Sequence, residues 1–233
     1  MKIFITGGTS GIGKQTVELL VSSSHEVIFS GRDADRGNKI AIATGAKFIQ
    51  GDLFTIDGCK KLADQYFQAQ DYCDVLINNA GIWTEGTLED TSDEEITNVF
   101  SVNSIAPIVL SKYFSSKMKV SIKAGNQDYA RLVFVNSIAG LTSKAEREVY
   151  CATKWAITGF ARGLSQELSP HKISVTNLCP GSIDTELFNH GGYPRDTSGM
   201  MDAAIVANSI KYIVDQPGNV QISELALHPT SYT

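Results

Sequence analysis

A chain of 233 residues, 42% hydrophobic and 19% charged, is long enough to bury a core and falls within the size of one α/β domain. A net charge of -5 gives no basic footprint for nucleic acid or an anionic membrane surface, and no run of about 18 apolar residues exists to span a membrane. The N-terminus shows no signal-peptide pattern, so the expected location is cytoplasmic, and the dispersed cysteines and histidines show no metal-ligand spacing, so no metal is expected.

The run Lys2 to Thr6 reads as a short buried strand, followed by Gly7, Gly8, Thr9, Ser10, Gly11, Ile12 and Gly13 and then by a helical pattern through Val17, Leu19, Leu20 and Val21. That order puts backbone N–H groups and a helix N-terminus where a pyrophosphate can sit, and glycines let the backbone approach it. A second strand, Glu26 to Ser30, ends in Gly31, Arg32 and Asp33. In dinucleotide folds this strand end faces the adenosine ribose, where an acid selects a free 2'-hydroxyl and an Arg accommodates a 2'-phosphate. Here Arg32 comes first, which favours NADP over NAD.

A helix about Ala34 to Thr44, a strand Lys47 to Gln50, the turn Gly51, Asp52 and Leu53, a helix about Thr55 to Gln70 and a strand Asp74 to Ile77 continue the alternation. Such alternation argues for a parallel sheet covered on both faces. Asn78, Asn79, Ala80 and Gly81 then form a small polar turn at a carboxyl strand end, where these sheets bind ligands. Between Thr91 and Lys119 a long helical segment carries Asp93, Glu94 and Glu95 in its first turn, as the helix dipole prefers. Pro107 lacks an N–H, so the carbonyl of Asn103 loses its helical partner and a kink is expected there. Val120 to Ala130 reads as a surface loop.

The strand Leu132 to Val135 delivers Asn136 and Ser137 to the same edge, and a helix from Glu148 follows. On it Tyr150 and Lys154 share one face. A fixed positive charge beside a phenol stabilises the phenolate and lowers a pKa that is ordinarily about 10, making the Tyr a candidate general acid or base. The same spacing also occurs on any amphipathic helix, so the pair alone decides nothing. The strand Ile173 to Leu178, a loop-rich region to about Met200, a helix about Asp202 to Asp215 and a strand Gln221 to Leu227 complete the chain. No repeat or linker divides it, so residues 1–233 read as one domain with a substrate loop at about 183–200.

Taken together, TGGTSGIG (Thr6 to Gly13), GDL (Gly51 to Leu53), NNAG (Asn78 to Gly81), VNS (Val102 to Ser104), NSIAG (Asn136 to Gly140), YCATK (Tyr150 to Lys154) and PGSIDT (Pro180 to Thr185) resemble the short-chain dehydrogenase/reductase family. The resemblance covers nearly the whole chain and implies a Rossmann-type α/β fold, a doubly wound parallel sheet of about seven strands with helices on both faces. It implies an NADP-dependent oxidoreductase that interconverts a carbonyl and an alcohol, with NAD the lesser cofactor. Tyr150 would move the proton, Ser137 orient the substrate oxygen, and Lys154 lower the Tyr150 pKa and bond the nicotinamide ribose. Asn103 would hold, through its main-chain carbonyl, a water that links Lys154 to solvent. Gly7, Gly11 and Gly13 would border the pyrophosphate, Arg32 the 2'-phosphate, Asp52 the adenine, Asn79 the adenosine ribose side, and Ile183 and Thr185 the carboxamide. Ser10, Ile12, Leu53, Ala80, Gly81, Pro180 and Gly181 would be further cofactor contacts.

The expected partners are a small carbonyl or alcohol substrate and further copies of the chain, as a homodimer or homotetramer. Two features depart from the common pattern: Asn103 and Ser137 lie 34 positions apart, an excess expected in the loop Lys123 to Ala130, and the C-terminus lacks a glycine-rich ending. The competing reading is a catalytically silent binding protein of the same fold. The retained Asn103, Ser137, Tyr150 and Lys154 argue against it. Substrate choice would fall to loops near Trp83, Ser143 and Asn189.

Overall fold

The computed structural model describes residues 1–194 and 196–230; Arg195, in the expected substrate loop, and residues 231–233 of the C-terminal stretch lie outside them. The chain alternates from the start: β1 (Lys2–Ile5), α1 (Gly11–Ser22), β2 (Glu26–Gly31), α2 (Ala34–Thr44), β3 (Lys47–Gln50), α3 (Ile56–Ala69) and β4 (Val75–Asn78). Then come α4 (Asp93–Phe100), α5 (Ala106–Lys123), β5 (Ala130–Val135), α6 (Glu148–Leu168) and β6 (Ile173–Pro180). The remainder holds β7 (Ile183–Asp184), α7 (Leu187–His190), β8 (Met201–Asp202), α8 (Ala203–Val214) and β9 (Glu224–Leu227).

Seven strands form one parallel sheet in the order β3-β2-β1-β4-β5-β6-β9, the Rossmann-type arrangement, and β7 pairs with β8 separately. Strand residues alternate between two cores. Ile3, Ile5, Val27 and Phe29 pack with Val17, Leu20, Val206 and Ile210 of α1 and α8. Phe4, Ile28, Leu76 and Leu132 pack on the other face with Leu62, Tyr66, Phe114 and Ile157 of α3, α5 and α6. Both faces are therefore covered, which is why the inner residues of β1, β4 and β5 are mostly apolar, Arg131 of β5 apart. The order reverses direction between β1 and β4, and the crevice beyond the carboxyl ends of these neighbours is where such sheets bind ligands.

Two sequence expectations change. The helix expected to end at Lys119 runs to Lys123, because Met118 is buried and Ile122 packs against the core, leaving a shorter connection before β5. The kink expected at Pro107 takes the form of a π-turn, Ser101–Ile105, joining α4 to α5, with the Ala106 N–H donating to the Ser101 carbonyl. Pro107 then stands in the first turn of α5, where its missing N–H is tolerated.

Arg131, 2% exposed on β5, holds the segment between α8 and β9. Its Nη1 donates to Ser174 Oγ and the Val220 carbonyl, each at 3.1 Å, and its Nη2 donates to the carbonyls of Pro217, at 2.9 Å, and Gln216. Substituting Arg131 with Ala removes four hydrogen bonds from a buried guanidinium to partly buried acceptors. The expected loss of stability in urea unfolding is about 3 kcal/mol.

Candidate active site

The carboxyl ends of β1, β2, β4 and β5 open into a cleft of about 940 Å³. At its head stands the glycine turn. Gly7 adopts φ +69°, and a Cβ there would lie 2.8 Å from Ala80 Cα; a Cβ on Gly13 would lie 2.1 Å from the Gly7 carbonyl oxygen. Only glycine allows this approach. Thr6 Oγ1 accepts from the main-chain N–H groups of Asn79 and Ala80, each at 3.1 Å, and Asn79 Nδ2 donates to the carbonyls of Thr6 (2.9 Å) and Gly7 (3.0 Å). The two strand ends are thus tied into one rim. Ser10 caps α1 without a side-chain capping bond, so the helix N-terminus faces the cleft with its hydroxyl uncommitted to the cap. This is a cradle that fits a pyrophosphate.

At the carboxyl end of β2 Arg32 lies over the Phe54 ring, 5.2 Å from its centroid, and Gln50 Nε2 donates to the Arg32 carbonyl at 3.0 Å. Leu53 lines the cleft, whereas Asp52 turns its Oδ1 to the Phe54 N–H at 3.0 Å. Arg36 also lines the cleft and reaches across to Glu186 at 2.8 Å.

Tyr150 and Lys154 line the floor, and each is 5% exposed. The Lys154 ammonium is 5.6 Å from the Tyr150 ring centroid. Burial raises the Tyr150 phenol above its ordinary value, and a hydrogen bond with Ser137 offsets only part of that. This corrects the expectation that Lys154 pulls the phenol down: Lys154 is itself buried, and burial brings its pKa down to about 8.

Asn103 is buried behind the floor, where its Oδ1 accepts from the Ile82 N–H at 2.8 Å and its Nδ2 donates to the Ile82 carbonyl at 2.9 Å. Its side chain thus fixes the loop after β4, a role that attention to its main-chain carbonyl missed. Asn136, also missed, donates to the Lys154 carbonyl (3.2 Å), Thr158 Oγ1 (2.9 Å) and Asn177 Oδ1 (2.9 Å), locking α6 to the sheet edge.

The cleft brings together Gly7, Ser10, Gly11, Ile12 and Gly13 with Arg32, Leu53, Asn79, Ala80 and Gly81, and with Tyr150, Lys154 and Thr185. Pro180 ends β6 in the sheet, the N–H of Gly181 just beyond it donates to the Leu227 carbonyl at 2.8 Å, and Ile183 is buried in β7. A shallower cavity of about 820 Å³ beside β3 holds none of these groups. Among the described residues no cluster of three His, Cys, Asp or Glu could hold a metal, and no helix is long and apolar enough to cross a membrane.

Residues 1–192 match the family described as short chain dehydrogenase, and the chain belongs to that family. An uncharacterised oxidoreductase of Staphylococcus saprophyticus is 28% identical, over 98% of this chain and 96% of its own length. A metagenomic short-chain oxidoreductase in complex with NADP superposes with a TM-score of 0.81 at 26% identity, covering 100% of this chain and 98% of that one. A 3-ketoacyl-(acyl-carrier-protein) reductase of Brucella melitensis complexed with NADH reaches 0.88 at 20% identity, covering 97% of this chain and 96% of that one.

Proposed function

We propose that the chain is an NADP-preferring oxidoreductase that interconverts a ketone or aldehyde with an alcohol. The observation that carries this reading is the meeting, in one cleft, of the glycine cradle at Gly7 to Gly13 with Tyr150 and Lys154. A bound nicotinamide dinucleotide supplies or accepts the hydride. Gly7, Ser10, Gly11, Ile12 and Gly13 would hold its pyrophosphate, Arg32 its 2'-phosphate, Asp52 and Leu53 its adenine, and Asn79, Ala80 and Gly81 its adenosine ribose side. Pro180, Gly181, Ile183 and Thr185 would surround the carboxamide.

Tyr150 Oη donates a proton to the substrate oxygen during reduction and removes it during oxidation. Ser137, hydrogen-bonded to that phenol, orients the same oxygen. Lys154 holds the nicotinamide ribose and keeps a positive charge beneath the site while it remains protonated. Asn103 supports a water path from Lys154 through its main-chain carbonyl in the π-turn. We read the whole chain as one catalytic unit in the cytoplasm, with residues 183–200 as the substrate loop. Ile105 of the π-turn and Trp155 of α6, 41% and 45% exposed, support a homodimer or homotetramer formed through the long helical segment from α4 to α5 and through α6.

The cofactor assignment rests on Arg32, supported by the NADP-bound relative at 26% identity. Arg32→Ala is expected to weaken NADPH binding by about 10- to 100-fold and to leave NADH binding unchanged. Fluorescence titration of both reduced cofactors checks this, and equal losses for the two would remove the argument for NADP. Turnover is sought by following nicotinamide absorbance over a panel of aldehydes, ketones and secondary alcohols.

A further inference from the structure

We propose that Trp83, backed by the buried Phe188, forms an aromatic seat beside Tyr150 that selects an uncharged, ring-bearing carbonyl compound, with Trp83 as the residue that sets this specificity. The inference rests on the oxidoreductase reading and names its substrate class.

Trp83 lies beyond the Asn78–Gly81 turn, in a loop whose local sequence gives no packing reason for an indole. Its ring centroid is 4.4 Å from that of Tyr150, at 49°, and Phe188 meets it edge-on at 5.0 Å and 82°. Offset and edge-to-face arrangements of this kind are favourable for aromatic rings. The indole nevertheless remains partly exposed and lines the cleft, so it presents surface to a ligand next to the proposed proton donor.

Its position is held from several sides. Trp83 Nε1 donates to Glu85 Oε2 at 3.2 Å, while Glu85 Oε1 accepts from Arg147 Nε at 3.0 Å. The Arg147 guanidinium lies 5.3 Å from the indole. The preceding residue, Ile82, is pinned at both main-chain groups by Asn103, and the Gly86 N–H donates to the Glu146 carbonyl at 2.8 Å. From the other side Glu95 accepts from the Tyr193 hydroxyl at 3.1 Å and from the Thr84 hydroxyl, joining the substrate loop to the loop that carries Trp83. A Cβ on Gly191 would come within 3.1 Å of the Trp83 carbonyl oxygen, so the two loops are closely apposed. A pre-positioned ring binds another ring without first being ordered.

Charge decides against ionic substrates. Among the described residues the cleft's cations are Arg32 and Arg36, toward the adenosine end, and Lys154 on its floor. Arg147 is paired with Glu85 at 3.0 Å. Among the described residues, the cation a carboxylate or phosphate would meet beside the indole is therefore Arg147, whose charge is already taken by Glu85. A cationic substrate gains little either, because Glu85 is paired with Arg147 and Glu95 already accepts from Thr84 and Tyr193.

The test compares an aryl aldehyde or aryl ketone with an open-chain carbonyl of equal carbon count, a 2-oxo acid and an amino ketone, each with NADPH. The wild-type protein is expected to favour the aryl compound in kcat/KM by about tenfold or more over each of the others. Trp83→Ala should raise KM for the aryl compound by about tenfold with kcat nearly kept, and Trp83→Phe should restore most of the loss. The chain has two tryptophans, so in a Trp155→Phe background the emission reports Trp83 alone. Addition of the aryl compound should quench that emission whether or not turnover follows. A preference for a charged or open-chain substrate, an unchanged KM in Trp83→Ala, or emission indifferent to the aryl compound overturns the seat. NADPH binding without turnover of any compound would instead refute the oxidoreductase reading, and the quenching result still judges the seat by itself.

Discussion

Substituting Tyr150 with Phe is expected to lower kcat/KM for carbonyl reduction by about 10²- to 10⁴-fold while leaving NADPH affinity unchanged. The substitution removes a single hydroxyl. The ring that packs against Trp83 at 4.4 Å is retained, so the loop after β4 keeps its support. What goes is the proton donor and its hydrogen bond with Ser137. Because burial holds the phenol above its ordinary value, Tyr150 stays protonated throughout the neutral range and is suited to act as an acid. Oxidation of an alcohol needs the phenolate, so its rate should climb with pH, whereas reduction should hold until the Lys154 ammonium deprotonates near its pKa of about 8. Steady-state kinetics in both directions, with cofactor titrations beside them, check these outcomes.

Lys154→Met is expected to change how stability depends on pH. Burial brings the folded-state pKa of Lys154 to about 8 from an ordinary 10.5. The folded protein therefore releases this proton at a lower pH than the unfolded chain does. Between these values the unfolded state binds more protons, so stability rises with pH through this window. Below pH 8 both states are protonated, and the cost of burying the ammonium is felt in full. The difference between the two values corresponds to roughly 3 kcal/mol. Met, of similar length and without charge, should be more stable than the wild type at pH 7, with the advantage shrinking as pH rises toward 10. Cys59, Cys73 and Cys179, all raised by burial, work in the opposite direction, since their unfolded thiols ionise first. They are common to both proteins, so the difference between two urea-unfolding series isolates Lys154. Parallel curves would contradict the buried charge.

Much of this was readable from the residues. Short apolar runs at β1, β4 and β5, set between helical patterns, read as strands covered on both faces, and the glycines from Gly7 to Gly13 mark the turn from β1 into α1. The i, i+4 spacing placed Tyr150 and Lys154 on one face of α6. What escaped were consequences of distant packing. Spacing shows that a positive charge stands near a phenol, but not that both are buried, and burial reverses the direction of the Tyr150 shift. The Asn103 bonds to Ile82 and the Arg36 contact with Glu186 join residues far apart in the chain, which the sheet edge alone brings together. Pro107 signalled an irregular helix, yet whether the backbone kinks or widens into a π-turn depends on how α4 and α5 seat against the sheet. Trp83 carried no pattern of its own, and only the fold lays it on Tyr150.

The most direct test of the central claim supplies NADPH deuterated at the transferring nicotinamide carbon together with carbonyl compounds, and follows the label by mass spectrometry. The result expected is deuterium on the carbinol carbon of the product with the wild-type protein and almost none with Tyr150→Phe. Wild-type protein that binds NADPH and transfers no deuterium to any carbonyl compound, or Tyr150→Phe that transfers it as fast as wild type, would contradict the account.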